Sequence, residues 1–310
     1  MIKRTLYFGN PAYLNLSDAQ LKVRLPEVEK NEGFTEQFKK DAVASIPIED
    51  IGLVVLDHKQ ITITQGLIEA LLANNAALVT CDSTHHPTGL LLNLCSNTLQ
   101  NERFRAQLDA SEPLKKQLWA QTIVQKIRNQ QVLLESLGIS SVYLIPLQKN
   151  IKSGDSDNCE ATAAVFFWQK IFGHVPGFVR FREGPPPNNY LNYGYAILRA
   201  TMARSIVGAG LLPTLGIHHA NKYNAYCLAD DLMEPYRPFV DRLVYELVKR
   251  KGVDTDISKE IKTELLSIPV MDVLLDNAKS PLMNATQRTA VSLVKCFTGE
   301  QKKLLYPVLQ

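Results

Sequence analysis

Apolar residues recur along this chain in two rhythms. Over residues 1–25 they alternate as strands do, in Thr5-Leu6-Tyr7-Phe8, Ala12-Tyr13-Leu14-Asn15 and Gln20-Leu21-Lys22-Val23, set apart by Gly9-Asn10-Pro11 and Ser17-Asp18. Residues 26–44 are polar and without period, which predicts a loop. Ile46-Pro47-Ile48, Ile51-Gly52-Leu53-Val54-Val55-Leu56 and Ile61-Thr62-Ile63-Thr64 supply further strands. Gln65 to Asn75 has helical spacing, and Ala77-Leu78-Val79-Thr80-Cys81 returns as a buried strand. Residues 1–85 are therefore expected to form a small β-rich domain with one short helix, and residues 86–100 a linker.

From His85-His86-Pro87 onward the rhythm becomes helical. Pro113 to Leu137 predicts a long helix, opened by Ser111-Glu112-Pro113 and closed at Gly138. After a polar break at residues 152–158, Asn158 is the candidate cap for a helix starting at Cys159-Glu160, whose apolar side is Val165, Phe166, Phe167 and Ile171. Pro185-Pro186-Pro187 interrupts, and Asn189 to Ala209 forms another helix ending at Gly210. Residues 228–248, LADDLMEPYRPFVDRLVYELV, have the pattern of a single helix. A shorter helix is expected at 257–267, a strand or helix at 270–276, and a last helix from Pro281 to Thr298. The expected class is α+β, with a β-rich front and an all-α-helical rear over residues 101–310.

At 310 residues the chain has room for two domains, and 45% apolar with 21% charged residues is a globular composition. The five cysteines are odd in number and contain no CxxC pair, which excludes a zinc ribbon or a disulfide framework and predicts a reduced, cytoplasmic setting. Met1-Ile-Lys-Arg lacks the apolar core of a signal peptide, and no apolar run reaches membrane-spanning length. The net charge of +3 says little about partners; basic clusters stand at Lys39-Lys40, Lys115-Lys116, Lys249-Arg250-Lys251 and Lys302-Lys303. No GxxxxGK[ST], strand-linked GxGxxG or GxSxG occurs, which argues against nucleotide hydrolysis, dinucleotide chemistry and a serine hydrolase.

Residues 214–242 concentrate the candidate chemistry. His218 and His219 are followed by Asp230, Asp231 and Glu234. On a helix, Asp230 and Glu234 (i, i+4) or Asp231 and Glu234 (i, i+3) share a face, onto which a loop histidine can fold. One imidazole with two carboxylates suits Mg²⁺ or Mn²⁺ better than zinc. The plain alternative is that acids in a first helical turn complement the macrodipole and that loop histidines are solvated. Glu160 is open to the same pair of explanations: small neighbours Ala161, Ala163 and Ala164 would admit a ligand, and the dipole would favour an acid there regardless. The amide- and phenol-rich run Asn188 to Tyr195 can hold a site helix by buried hydrogen bonds, or simply cap and pack it.

These segments, taken in order, closely resemble the CRISPR-associated adaptation integrase family, the larger catalytic subunit of the spacer-acquisition complex. The likeness rests on a Glu early in a helix (NCEATAA), the block NYLNYGYAIL, and GIHHANKYNAYCLADDLMEPYRP. It extends forward to IPIEDIGLVVLD and ITITQGLIEALLANNAALVTCD and back to SPLMNATQRTAVSL, nearly the whole chain. The LADDLMEPYRP wording is most similar to members that accompany single-protein interference nucleases, the type II systems.

The resemblance implies an N-terminal β-sandwich dimerisation domain and a helical catalytic domain in a homodimer. It also implies a small adaptation subunit that bridges two dimers, double-stranded DNA as substrate, and Mg²⁺ or Mn²⁺ as cofactor. The family's Glu, His and acid fall on Glu160, His219 and Glu234, with Asp231 as a possible additional metal ligand. Many relatives carry Asp where Glu234 stands, which changes reach but not ligand type. His219 is aligned because Ala220-Asn221 follows it, leaving His218 as a neighbour. The implied reaction is attack of a DNA 3′-hydroxyl on a phosphodiester, a transesterification that conserves bond energy and matches the missing phosphate loop. A stand-alone nuclease attacking with water, or a silent DNA-binding scaffold, are the competing functions; strand joining and metal-dependent turnover separate them.

Overall fold

The alternating N-terminal segments form β1 (Arg4–Phe8), β2 (Ala12–Ser17) and β3 (Gln20–Arg24). Asp18 and Ala19 in the β2–β3 turn both take positive φ, 53° and 55°, as in the two-residue turns whose twist matches paired strands. Residues 26–44, expected as a loop, carry two short helices, α1 (Pro26–Glu29) and α2 (Glu36–Asp41). Neither buries a residue, so no apolar period marks them; α2 is instead started by Thr35, which accepts a hydrogen bond from the Phe38 N–H. The chain continues through β4 (Ala44–Pro47), β5 (Ile51–Leu56), β6 (Ile61–Ile63), α3 (Gln65–Ala73), β7 (Ala77–Cys81) and β8 (Pro87–Leu91).

In this computed structural model, which describes residues 3–95 and 97–310, the chain divides into units 1–96 and 97–310. The first unit holds two four-stranded sheets, ordered β1-β5-β7-β8 and β4-β3-β2-β6. In one, β1, β5 and β7 run parallel and β8 closes the edge antiparallel; in the other, β6 lies parallel to β2. Both sheets and α3 contribute to one apolar core, through Leu14 and Leu21, Ile51 and Val54, and Leu67 and Leu71. Residues 86–100 are not a plain linker, because Pro87–Leu91 pairs with β7 and a helix starts at Gln100.

The second unit comprises α4 (Gln100–Leu108), α5 (Glu112–Ser136), α6 (Leu144–Lys149), α7 (Cys159–Ile171), α8 (Asn188–Gly208), α9 (Cys227–Met233), α10 (Arg237–Lys251) and α11 (Lys259–Leu265). It ends with β9 (Asp272–Leu275), β10 (Ala278–Pro281) and α12 (Leu282–Phe297). Ser111 caps α5, and Gly138 at φ 71° ends the turn after it. Helix α8 is buried on nearly every side and carries polar side chains, Asn188, Thr201, Arg204 and Ser205, into the interior with its apolar ones. A Cβ at Gly194 would lie 2.6 Å from Val240 Cγ1, so glycine there lets α8 and α10 approach.

Two expectations for this unit are corrected. The unit is not all-helical: β9 and β10 form a hairpin whose turn residues Asp276 and Asn277 take positive φ, 54° and 60°. The single helix expected over 228–248 is α9, a 3-10 turn at Glu234–Tyr236, and α10. Pro235 and Pro238 have no N–H to donate, which loosens the helix there. Among the described residues no helix is long and apolar enough to cross a membrane.

Candidate metal centre

Glu160 stands in the first turn of α7. The expected cap, Asn158, is in the left-handed region and makes no capping bond. Asp155 does that work: its carboxylate accepts from the Cys159 and Glu160 N–H groups, each at 2.9 Å. This holds the backbone of Glu160 and aims its side chain at α5, where Glu160 Oε1 meets Lys126 Nζ at 2.6 Å.

Glu234 is buried in the 3-10 turn. Its Oε2 lies 2.6 Å from the same Lys126 Nζ, and its Oε1 lies 2.8 Å from Arg237 Nε. Both contacts are buried ion pairs, so each Glu234 oxygen faces a cation. Burial pushes the Glu234 carboxyl up, but Arg237 and Lys126 outweigh it and the net shift is down. Burial likewise disfavours the Lys126 ammonium, and Glu234 and Glu160 more than reverse it. One ammonium thus joins two of the expected site residues, from helix α5 and across three segments of chain.

The histidine loop is built around Asp231, which is fully buried. Its carboxylate accepts from the His218 N–H at 2.9 Å and the His219 N–H at 3.3 Å, and its Oδ1 lies 2.5 Å from His219 Nδ1. Glycine is required beside it: a Cβ at Gly216 would sit 2.4 Å from the His219 carbonyl and 2.6 Å from Asp231 Oδ2. The hydrogen bond to Asp231 raises the His219 pKa above its usual value, against the effect of burial. Because Nδ1 is engaged, Nε2 is the His219 nitrogen left for a ligand. His218 stacks flat on Trp119, with ring centroids 4.1 Å apart, and burial and His219 lower its pKa. Asp230 is committed elsewhere, to Arg199 Nε at 2.6 Å and Asn224 at 2.7 Å. Asp231, expected as a possible ligand, positions the His219 imidazole and the backbone of its loop.

A cavity of about 230 Å³ adjoins the two carboxylates, lined among others by Lys126, Gln130, Trp168, Arg180 and Asp241. Cations and rings alternate along it: Arg180 lies 5.6 Å from the Trp168 ring and 5.4 Å from the Tyr195 ring, and Arg237 lies 4.6 Å from Tyr195. The Asn188–Tyr195 run serves this wall, since Asn188 and Asn192 accept from Arg180 at 2.7 and 3.1 Å and the Tyr195 hydroxyl donates to Asp241. Burial pushes the Asp241 carboxyl up to about 7, although Tyr195 and Arg237 pull the other way.

Sequence reasoning missed Lys126, Gln130, Asp155, Arg180, Arg237 and Asp241. For two of them a signal existed: Thr122, Lys126, Asn129 and Gln130 are polar at helical spacing on the buried face of α5.

The donor set fits a divalent cation. Two carboxylates already converge on one positive charge, and an imidazole with its far nitrogen engaged stands in the same electrostatic neighbourhood. Among the described residues, though, no three His, Cys, Asp or Glu side chains are drawn together tightly enough to hold an ion. The triad is present as a neighbourhood and not as a finished cage.

Fold and site define a mixed α+β chain whose second unit carries a carboxylate-and-imidazole centre. A family model described as CRISPR associated protein Cas1 matches residues 8–275, and the chain belongs to this Cas1 family of CRISPR adaptation proteins. It is 32% identical over 307 residues to the CRISPR-associated endonuclease Cas1 of Neisseria meningitidis serogroup C (strain 8013), spanning 98% of this chain and 95% of the relative. Its fold is shared with a casposase bound to integration product, at TM-score 0.77 and 20% identity over 98% of this chain and 92% of the other. It is also shared with a chain of a Cas6-RT-Cas1–Cas2 complex, at TM-score 0.73 and 19% identity over 99% of this chain and 36% of that longer one.

Proposed function

We propose that this chain is a spacer-integrating nuclease of CRISPR adaptation, joining a DNA 3′-hydroxyl to a phosphodiester of the target with Mg²⁺ or Mn²⁺ as cofactor. The observation that carries the chemistry is the shared grip of Glu160 and Glu234 on one cation, beside an imidazole held by Asp231. Glu160, Glu234 and His219 Nε2 would hold the ion, which when bound supplies Lewis acidity at the phosphoryl oxygen and lowers the pKa of the attacking hydroxyl. Asp231 keeps the imidazole oriented, Asp155 keeps α7 in register, and Arg180 and Arg237 offer fixed positive charge to a phosphate entering the cavity.

In the same proposal, the first unit is the β-sandwich dimerisation module and the second the catalytic domain. A small adaptation subunit bridges two dimers, and double-stranded DNA is the substrate. The naming of a Cas1–Cas2 complex and of a casposase with its integration product among the fold relatives supports this set of partners. A cytoplasmic setting accords with five free thiols. The basic cluster at 249–251 is a weaker candidate for DNA contact than its composition promises, because Arg250 and Lys251 both reach Glu264, at 2.5 and 3.3 Å.

Half-site joining of a 3′-hydroxyl duplex, run with Mn²⁺ on the full chain, tests the reading. Alanine at Glu160, His219 or Glu234 should lower joining at least about a hundredfold with folding and most DNA affinity retained, since phosphate contacts supply the affinity. His218→Ala should be far milder. Full activity in Glu160→Ala would sink the assignment, and hydrolysis without joining would favour a stand-alone nuclease.

A further inference from the structure

The ammonium of Lys126 stands where a cation shared by Glu160 and Glu234 would stand, 2.6 Å from an oxygen of each. Two cations cannot share that space, because each would be desolvated against the other's charge. We propose that Lys126 is a resident cation that closes the metal centre, that it must swing out before a divalent ion loads, and that Gln130 receives it. This inference rests on the metal-centre reading above.

Three observations select Lys126 over its neighbour Arg237 and give it a destination. Of the two carboxylates Arg237 pairs with Glu234, on the opposite oxygen, Oε1, so it can stay while an ion takes Oε2. Lys126 alone of the two bridges both carboxylates, and its unbranched four-carbon stem can carry the charge several ångströms by rotamer change. Gln130 lies one turn further along the same face of α5, is 2% exposed, and has a buried Oε1 with no hydrogen-bond partner. It lines the same cavity of about 230 Å³, so there is room for the ammonium to arrive. An unsatisfied buried acceptor within reach of a movable ammonium is a poor resting arrangement and a good receiving one. Without the ion, Lys126 keeps two carboxylates from repelling each other. With it, the same lysine becomes a free positive charge on the cavity wall, available to a phosphate.

Mn²⁺ titration calorimetry on the full-length protein tests this, with the wild type, Lys126→Met, Lys126→Gln and Glu160→Ala. Both lysine variants should bind Mn²⁺ about tenfold or more tightly than the wild type, since the cost of expelling the ammonium is removed. Their melting temperatures in EDTA should fall, and the rise on adding Mn²⁺ should exceed that of the wild type. Lys126→Gln keeps length and a polar end, so it serves if Lys126→Met does not fold. A crystal structure of the wild type with Mn²⁺ should place Lys126 Nζ in hydrogen-bonding reach of Gln130 Oε1. Lysine variants that bind Mn²⁺ no more tightly than the wild type would overturn the inference while leaving the metal centre standing. So would a bound ion with Nζ still between the carboxylates. Wild-type protein that takes up no Mn²⁺, with Glu160→Ala no different, would overturn the metal centre itself and the inference with it.

Discussion

The two units spend their interiors differently. Among the described residues of the first, Asp57 is the one buried charge, against a core of Leu14, Leu21, Ile51, Val54, Leu67 and Leu71. The second buries Lys126, Arg204, Asp230, Asp231, Glu234 and Asp241 within its helices. Burying a charge costs free energy unless it is paired, so a core that hides many of them is poorly explained by stability alone. Of those in the second unit, Lys126 and Glu234 form the carboxylate–lysine pair and Asp231 holds the histidine loop. The contrast teaches that the first unit is built for folding, and that the second accepts a strained interior where its chemistry needs fixed charge.

The contrast can be broken by moving the effects apart. Leu71→Ala in the first unit should cost about 2–5 kcal/mol in that unit's unfolding transition, as buried leucine truncations do, with Mn²⁺ binding unchanged. Denaturant unfolding followed beside calorimetry would check both halves. If Mn²⁺ binding falls with it, the division of labour between the units is wrong.

Asp231→Asn should do the reverse. Its oxygens hold the His218 and His219 N–H groups and His219 Nδ1, so an amide there misorients the imidazole. Mn²⁺ affinity or joining rate should drop about 10–100-fold, the usual range for a residue that orients a metal ligand, with the first unit's transition unmoved. Wild-type affinity in this variant would mean that the histidine is oriented by something else.

The smallest expected effect is on pH dependence. The Asp241 carboxyl titrates at about 7 in the fold, against 3.8 as the reference for an aspartate. Between those values the folded state holds a proton that the unfolded chain has released, so this group makes stability fall as pH rises from about 4 to 7. Asp241→Asn removes that contribution, and its melting temperature should fall less between pH 5 and 8 than that of the wild type. A parallel decline in the two proteins would show that Asp241 is already ionised in the fold.

Much of the fold was legible because local period encodes it. Alternation and short apolar runs placed β1 to β7 of the first unit but not β8, and helical spacing placed α3, α5, α7, α8 and α12 within a few residues of where they stand. The failures have local causes too. Helices α1 and α2 bury nothing and so show no period, and residues 228–248 kept a helical rhythm through Pro235, where the backbone tightens into a 3-10 turn. The β9–β10 hairpin carried its own signal, Asp276-Asn277, inside a stretch left open between strand and helix.

By itself the sequence determined the two-part α+β layout, and by its likeness to the family it nominated Glu160, His219 and Glu234. What only the tertiary structure decided is how those residues are served. Lys126 comes from 34 positions before Glu160 to hold it and Glu234 together. Asp231 anchors His219, Asp155 replaces Asn158 as the cap of α7, and Arg250 and Lys251 are drawn onto Glu264. Backbone periodicity reports which face of an element is buried, but not which distant side chain it is buried against. A carboxylate's role as ligand, cap or anchor depends on which partner reaches it first across the core, and that is a property of packed helices rather than of any one stretch of chain.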